Sequence, residues 1–255
     1  MVKDKAIGII GGMGPHAGLE LVRHIFDQTV ATTDQDHLPV VMFSYPDRIP
    51  DRSIFLFGKS QENPAFAIAE QIRMAESVGV VVAGIPCNTA HAPAIFNVIQ
   101  EELARCGSRV RVLHLIEEAV RFVREQYPDV KRVGVLSTLA VYRLGLYRSA
   151  LEAAGYEVVV PDENVQETIV NRTIFDPVYG LKAQSHPVSK IARQSLLTAI
   201  AHLRQKGVEA VVLGCTELPL AIPEPELDGL PMIDPALALA RALIRETYPE
   251  QLKPL

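Results

Sequence analysis

The sequence predicts an α/β protein of two similar lobes, each a parallel sheet flanked by helices. Three observations carry that prediction. Short β-branched apolar runs alternate with stretches whose apolar residues recur at helical spacing, the pattern of parallel strands joined by helical crossovers. Two of the runs match each other: Gly-Val-Val-Val-Ala-Gly-Ile-Pro-Cys at 79–87 and Gly-Val-Glu-Ala-Val-Val-Leu-Gly-Cys at 207–215 both open on Gly-Val and close on a cysteine. The order strand, helix, strand, loop, helix, strand, cysteine then occurs twice. At 255 residues and 48% hydrophobic, the chain is long enough to bury two cores.

Residues 6–10 (Ala-Ile-Gly-Ile-Ile) read as the first strand, and Gly-Gly-Met-Gly-Pro at 11–15 turns the chain into a helix over about 17–31. Pro15 suits the first helical turn, where a missing N–H costs nothing. A second strand is predicted over 38–44, then a long polar connection over 45–63, a length more often functional than idle. A helix over 64–78, with Ile68, Ala69, Ile72 and Ala75 on one face, delivers the chain to the first cysteine strand. A helix over 93–106, a strand over 110–115 and a helix over 116–127 follow. The pattern then restarts: strand and small-residue turn over 131–138, helix over 142–154, strand over 156–160, a polar stretch over 162–187 carrying Lys182, helix over 188–206, and the second cysteine strand. A last helix, 235–248, is expected to return to the first lobe. The lobes are therefore set at 1–115 with about 225–255, and 116–224.

A net charge of -5 without a basic stripe points away from nucleic acid and toward a small-molecule partner. The apolar run before Gly11 is too short for a signal peptide and no run approaches a membrane span, so a cytoplasmic protein is expected. Three widely spaced cysteines, Cys87, Cys106 and Cys215, argue for reduced thiols rather than a disulfide framework. No CxxC pair or HExxH is present, so no metal site is expected.

In parallel sheets ligands sit beyond the carboxyl ends of the strands. Cys87, Cys215, the turn at 11–14 and the turn at Ser137 and Thr138 all fall at such ends. If the lobes are related by a pseudo-twofold axis, the four converge on one active site between them. Two thiols so placed suit a racemase, which needs a base on one face of a carbon acid and an acid on the other. The turn N–H groups that follow each cysteine favour the thiolate. A buried inert cysteine is the ordinary fate of the residue type. The matched pair argues against it for Cys87 and Cys215; Cys106, at a helix end, reads as structural.

Gly-Gly-Met-Gly-Pro (11–15), Ile-Pro-Asp-Arg-Ser (49–53), Pro-Cys-Asn-Thr-Ala-His (86–91), Tyr-Gly-Leu-Lys-Ala (179–183) and Leu-Gly-Cys-Thr-Glu-Leu-Pro-Leu (213–220) together resemble the aspartate racemase branch of the aspartate/glutamate racemase family. Glu217 stands where the glutamate branch usually has His, and that branch's opening Asp-Ser-Gly is missing. The resemblance implies a cofactor-independent racemase, commonly dimeric, with one cysteine per face of the α-carbon. It carries Arg52 and Lys182 over as cations for substrate carboxylates, and Asn88, Thr89, Thr138 and Thr216 as small polar groups around the substrate, with Met13 and Gly14 offering turn backbone. By the same resemblance Cys87 serves D-aspartate and Cys215 L-aspartate.

An arginine can grip a carboxylate with two parallel hydrogen bonds. A cation beside the reacting carbon offsets carbanion charge, a need made greater without pyridoxal phosphate. The bland readings are a solvated loop charge for Arg52 and Lys182, an acidic residue in a first helical turn for Glu217, and an imidazole satisfied by a nearby carbonyl for His91. Glu217 otherwise holds the substrate ammonium or assists the thiol; His16 and His91 are left off the catalytic set. Gly12, Gly14 and Ala17 also fit the dinucleotide fingerprint, but its acidic partner at the second strand's end is missing. Other readings are a broad aspartate/glutamate racemase, a hydantoin racemase or related isomerase, and a two-lobed amino-acid-binding protein, in which paired thiols have no purpose.

Overall fold

Two parallel sheets organise the chain, and each grows around a strand that is buried along its whole length. The computed structural model describes residues 4–255; residues 1–3, which enter the expected first lobe and the reading of the chain's start, lie outside the described residues. Two compact units divide the chain: residues up to Glu118 together with Ala236–Leu255, and Ala119–Pro235.

In the first unit β1 (Ala6–Ile10) is fully buried. Ile7, Ile9 and Ile10 are entirely inaccessible, each worth about 1.5–3 kcal/mol of burial. After β1 come α1 (Pro15–Gln28), β2 (Val40–Phe43), α2 (Arg52–Leu56), α3 (Ala65–Glu76), β3 (Val80–Gly84), α4 (Pro93–Arg105), β4 (Arg111–Leu113) and α5 (Leu115–Gln126). The sheet order is β2-β1-β3-β4, all parallel. Ile68 and Ile72 of α3 and Ile95, Ile99 and Leu103 of α4 share one buried core with Ile10 and Val80. The 45–63 connection is not featureless, because α2 forms within it where Asp51 accepts the N–H of Ile54 at 2.9 Å, a helix N-cap.

The second unit continues with β5 (Arg132–Ser137), α6 (Leu139–Arg143), α7 (Leu146–Ala153) and β6 (Glu157–Val159). The helix expected over 142–154 is thus broken in two, at Gly145 with φ +62°. The polar stretch over 162–187 carries α8 (Glu163–Val165), a π-helical segment (Gln166–Asn171) and α9 (Arg172–Phe175). Then follow α10 (Lys190–Gln205), β7 (Ala210–Gly214), α11 (Leu218–Ala221), β8 (Glu226–Leu227) and β9 (Leu230–Ile233). The order is β6-β5-β7-β9-β8, with only β8 antiparallel. Leaving β8 aside, this repeats the order of the first sheet.

The boundary expected near 225 lies at 235 instead, because β9 pairs with β7 and carries β8 with it. The last helix, α12 (Pro235–Thr247), belongs from Ala236 onward to the first unit. Its Leu239 and Leu243 press on β3 at Gly84, where a Cβ would come within 3.0 Å of both side chains. Among the described residues no helix is long and apolar enough to cross a membrane.

Candidate active site

Three strand ends position the first unit's candidate residues. Beyond β1, the Gly11 N–H donates to the Phe43 carbonyl at 2.7 Å. Gly12 has φ +89°, and a Cβ there would meet the Pro46 nitrogen at 3.1 Å, so only glycine fits both the angle and the space. The Met13 side chain is buried in the core that also takes Ile10 and Cys87, so Met13 offers backbone at this end, and Gly14 caps α1.

The cap at Asp51 makes Arg52 the first residue of α2, and α2 packs against the turn at Asn88–His91. The Arg52 guanidinium is half-buried. Its Nη1 donates to the Pro50 carbonyl at 3.3 Å, its Nε is buried without an acceptor, and among the described residues it forms no ion pair. Arg23, Arg172 and Arg193 each hold a carboxylate. A buried donor left unmatched is costly, and an anion is what such a fork accepts.

Cys87 follows β3 and is buried, as are Asn88 and Thr89 after it. The Nδ1 of His91 lies 2.9 Å from the Cys87 carbonyl, which can only accept, so Nδ1 carries the proton. Burial, then the neighbouring His114, lowers the His91 pKa to about 3. His91 also stacks on Phe96, with ring centroids 5.1 Å apart. It is therefore neutral and braces the turn rather than the thiol, the carbonyl-satisfied imidazole that the sequence allowed. Cys106 is exposed at the end of α4.

In the second unit Thr138 caps α6, its hydroxyl accepting from Val141 N–H at 3.4 Å. Cys215 follows β7, and Thr216 and Glu217 after it are buried. The Cys215 thiol donates to Glu217 Oε2 at 3.0 Å, and Lys182 Nζ donates to Glu217 Oε1 at 2.5 Å. Burial raises the Cys215 pKa well above the ordinary thiol range and the Glu217 carboxylate pushes the same way, against a smaller opposing pull from Lys182. For Glu217, burial pushes upward, but Lys182 and the thiol hydrogen bond together outweigh it and the net shift is downward. Cys215 is thus a protonated thiol held by a charged carboxylate, itself neutralised by a lysine. Tyr147, unmarked in the sequence beyond its helical spacing, fills the space that a Cβ on Gly214 would need, 2.8 Å away.

The two thiols share one backbone frame. Each cysteine N–H donates two residues back, Cys87 to Ile85 at 2.8 Å and Cys215 to Leu213 at 2.9 Å. Each carbonyl accepts from three residues ahead, from Ala90 at 3.1 Å and Leu218 at 2.9 Å. In both halves the loop after the sheet's second strand supplies a cation, Arg52 in one and Lys182 in the other. The halves differ two residues beyond the thiol, where Thr89 faces Glu217 in the correspondence. Among the described residues no group of three or more His, Cys, Asp or Glu side chains is placed to hold a metal ion.

Residues 10–243 match the profile of the Asp/Glu/Hydantoin racemase family. The structure of the Picrophilus torridus aspartate racemase is similar, with TM-score 0.78 and 30% identity over 95% of this chain and 94% of that one. An aspartate racemase homologue from Pyrococcus horikoshii OT3 shares the fold at TM-score 0.71, with 24% identity over 97% of this chain and 99% of that one. The broad specificity amino-acid racemase RacX of Bacillus subtilis (strain 168) is 27% identical over 95% of this chain and 97% of its own. With two α/β units of matching strand order, a cysteine ending the third strand of each and a family profile covering most of its length, the chain belongs to the Asp/Glu/Hydantoin racemase family.

Proposed function

We propose that this racemase-family chain interconverts L- and D-aspartate without pyridoxal phosphate, Cys87 and Cys215 each serving one face of the α-carbon. The observation that carries the reading is the repeated thiol frame: two cysteines held by the same pair of backbone hydrogen bonds at corresponding strand ends. A packing role gives no reason for that match, whereas a reaction that removes a proton from one face and returns one to the other does.

From D-aspartate, the Cys87 thiolate takes the α-proton and the Cys215 thiol gives its own to the opposite face, leaving L-aspartate, Cys87 as thiol and Cys215 as thiolate. The reverse reaction exchanges the roles. Arg52, with its unmatched guanidinium, takes a substrate carboxylate. Asn88, Thr89, Thr138, Thr216 and the backbone at Met13 and Gly14 surround the amino acid. Lys182 serves the substrate through Glu217, keeping that carboxylate charged beside the thiol it restrains. The protein acts in the cytoplasm as a homodimer.

Incubating the protein with L-aspartate in deuterium oxide tests this. Deuterium at the α-carbon together with D-aspartate supports it, and C87S and C215S each abolish the conversion. An absence of exchange, as in a binding protein, refutes it, as does full speed in either variant. A panel of aspartate and glutamate enantiomers separates the aspartate reading from a broader one, and the Bacillus subtilis relative is itself a broad specificity amino-acid racemase.

A further inference from the structure

Ser137 is the last residue of β5 to pair with β7, and its partner is Gly214, the residue before Cys215. The turn at Ser137 and Thr138 is therefore tied to the thiol through one rung of the sheet. Two side chains outside both strands hold that turn. The Ser137 carbonyl accepts from Gln166 Nε2 at 2.8 Å, and the Leu139 N–H donates to Asn171 Oδ1 at 3.1 Å. Gln166 is completely buried and its Oε1 has no partner, so an apolar side chain would sit there more cheaply unless its amide N–H is needed.

Gln166 and Asn171 are the two ends of the π-helical segment. In an α-helix, residues five apart point about 140° away from one another. The wider i→i+5 winding brings them onto one face, and here both reach the same turn. In the first unit the corresponding turn runs close to the backbone at Pro46, where a Cβ on Gly12 would not fit.

We infer that Gln166 and Asn171 are positioning residues: a two-point clamp, made possible by π winding, that fixes Thr138 relative to Cys215 for the substrate. The inference rests on the function proposed above. Three variants test it kinetically. N171A removes one point of the clamp, N171D keeps the acceptor oxygen, and Q166M removes the other point. Misplacing a binding group by a fraction of an ångström to an ångström costs roughly ten- to a hundredfold in kcat/KM. N171A is expected to lose that much, mainly through KM and with its melting temperature near wild type, and N171D to recover it. Should Q166M fail to fold, the Asn171 pair decides alone.

A second readout needs no turnover. The rate at which iodoacetamide labels Cys215, read by mass spectrometry against Cys87 as reference, rises in N171A and not in N171D. Wild-type KM together with wild-type labelling in N171A overturns the clamp, as does N171D behaving like N171A in both readouts. A protein that racemises nothing yet shows the labelling difference overturns the proposed function and supports the clamp.

Discussion

The Cys215 sulfur donates its proton to Glu217 Oε2 across 3.0 Å, so the resting form of this thiol is fixed by a residue two positions away. In the proposed reaction the thiol pair works only in its singly protonated form, so the basic limb of the kcat/KM profile reports loss of the second thiol proton. Burial and the Glu217 charge raise the Cys215 pKa and so hold that limb up. In E217Q the charge is gone and Lys182 is left to favour the thiolate. The basic limb is expected to move to lower pH, equally in both directions because the equilibrium constant between enantiomers is one. Iodoacetamide labelling of Cys215 at neutral pH should quicken. An unmoved limb with unchanged labelling removes Glu217 from control of the thiol.

Lys182 is the counterion of a carboxylate that is only 3% exposed. K182M leaves that carboxylate without its partner, and breaking such a pair costs up to about 3 kcal/mol when one end is partly solvated. In the wild type the Glu217 pKa lies below its ordinary 4.5, so its contribution is present above that pH and is lost as pH falls through the lowered value. The difference in melting temperature between K182M and wild type should therefore be large at pH 7 and shrink as pH falls below 4.5. A difference that does not vary with pH contradicts the ion-pair account.

Among the described residues Arg52 holds no carboxylate, so its loss should leave the fold intact. R52Q is expected to melt with wild type and to lose about 1.5–3 kcal/mol of aspartate transition-state binding, roughly ten- to a hundredfold in kcat/KM. R52Q with wild-type kinetics assigns the guanidinium to the surface.

His91 is buried and neutral, with a pKa lowered to about 3 by burial. The unfolded chain takes up a proton here near pH 6.5 and the folded one does not, so stability falls as pH drops between those values, by up to about 1.4 kcal/mol per pH unit. H91Q keeps a donor for the Cys87 carbonyl and cannot titrate. Denaturant melts at pH 7.0, 6.0 and 5.0 should show a shallower decline for H91Q, and parallel declines would contradict the assignment.

The cysteine strands were legible because a strand covered on both faces is apolar and rich in β-branched residues, as Ala210–Gly214 is throughout and Val80–Gly84 is everywhere but at exposed Val81. The alternation of strands and helices announced the two parallel sheets, but not the order of strands within them. Three features were not legible. The β8–β9 hairpin lies among Pro223, Pro225 and Pro231, which argue against strands; its signal was Asp228-Gly229, both at positive φ in a two-residue turn. The π-helical segment breaks the 3.6-residue period by which helices are recognised, so Val165, Val170 and Ile174 spell no familiar stripe. The Lys182–Glu217 pair joins residues 35 apart that the motifs had each turned toward the substrate. Charge type is readable from sequence, but which charges neutralise each other depends on the folded geometry.

The closure of the first sheet by α12 sets an order of events during synthesis. The ribosome releases β1 to β4 more than a hundred residues before Leu239 and Leu243, which cover Gly84, have been made. Residues 119–235 are contiguous, so that unit is fully made while β3 still lacks the cover that Leu239 and Leu243 give it at Gly84. The half translated first is the half finished last.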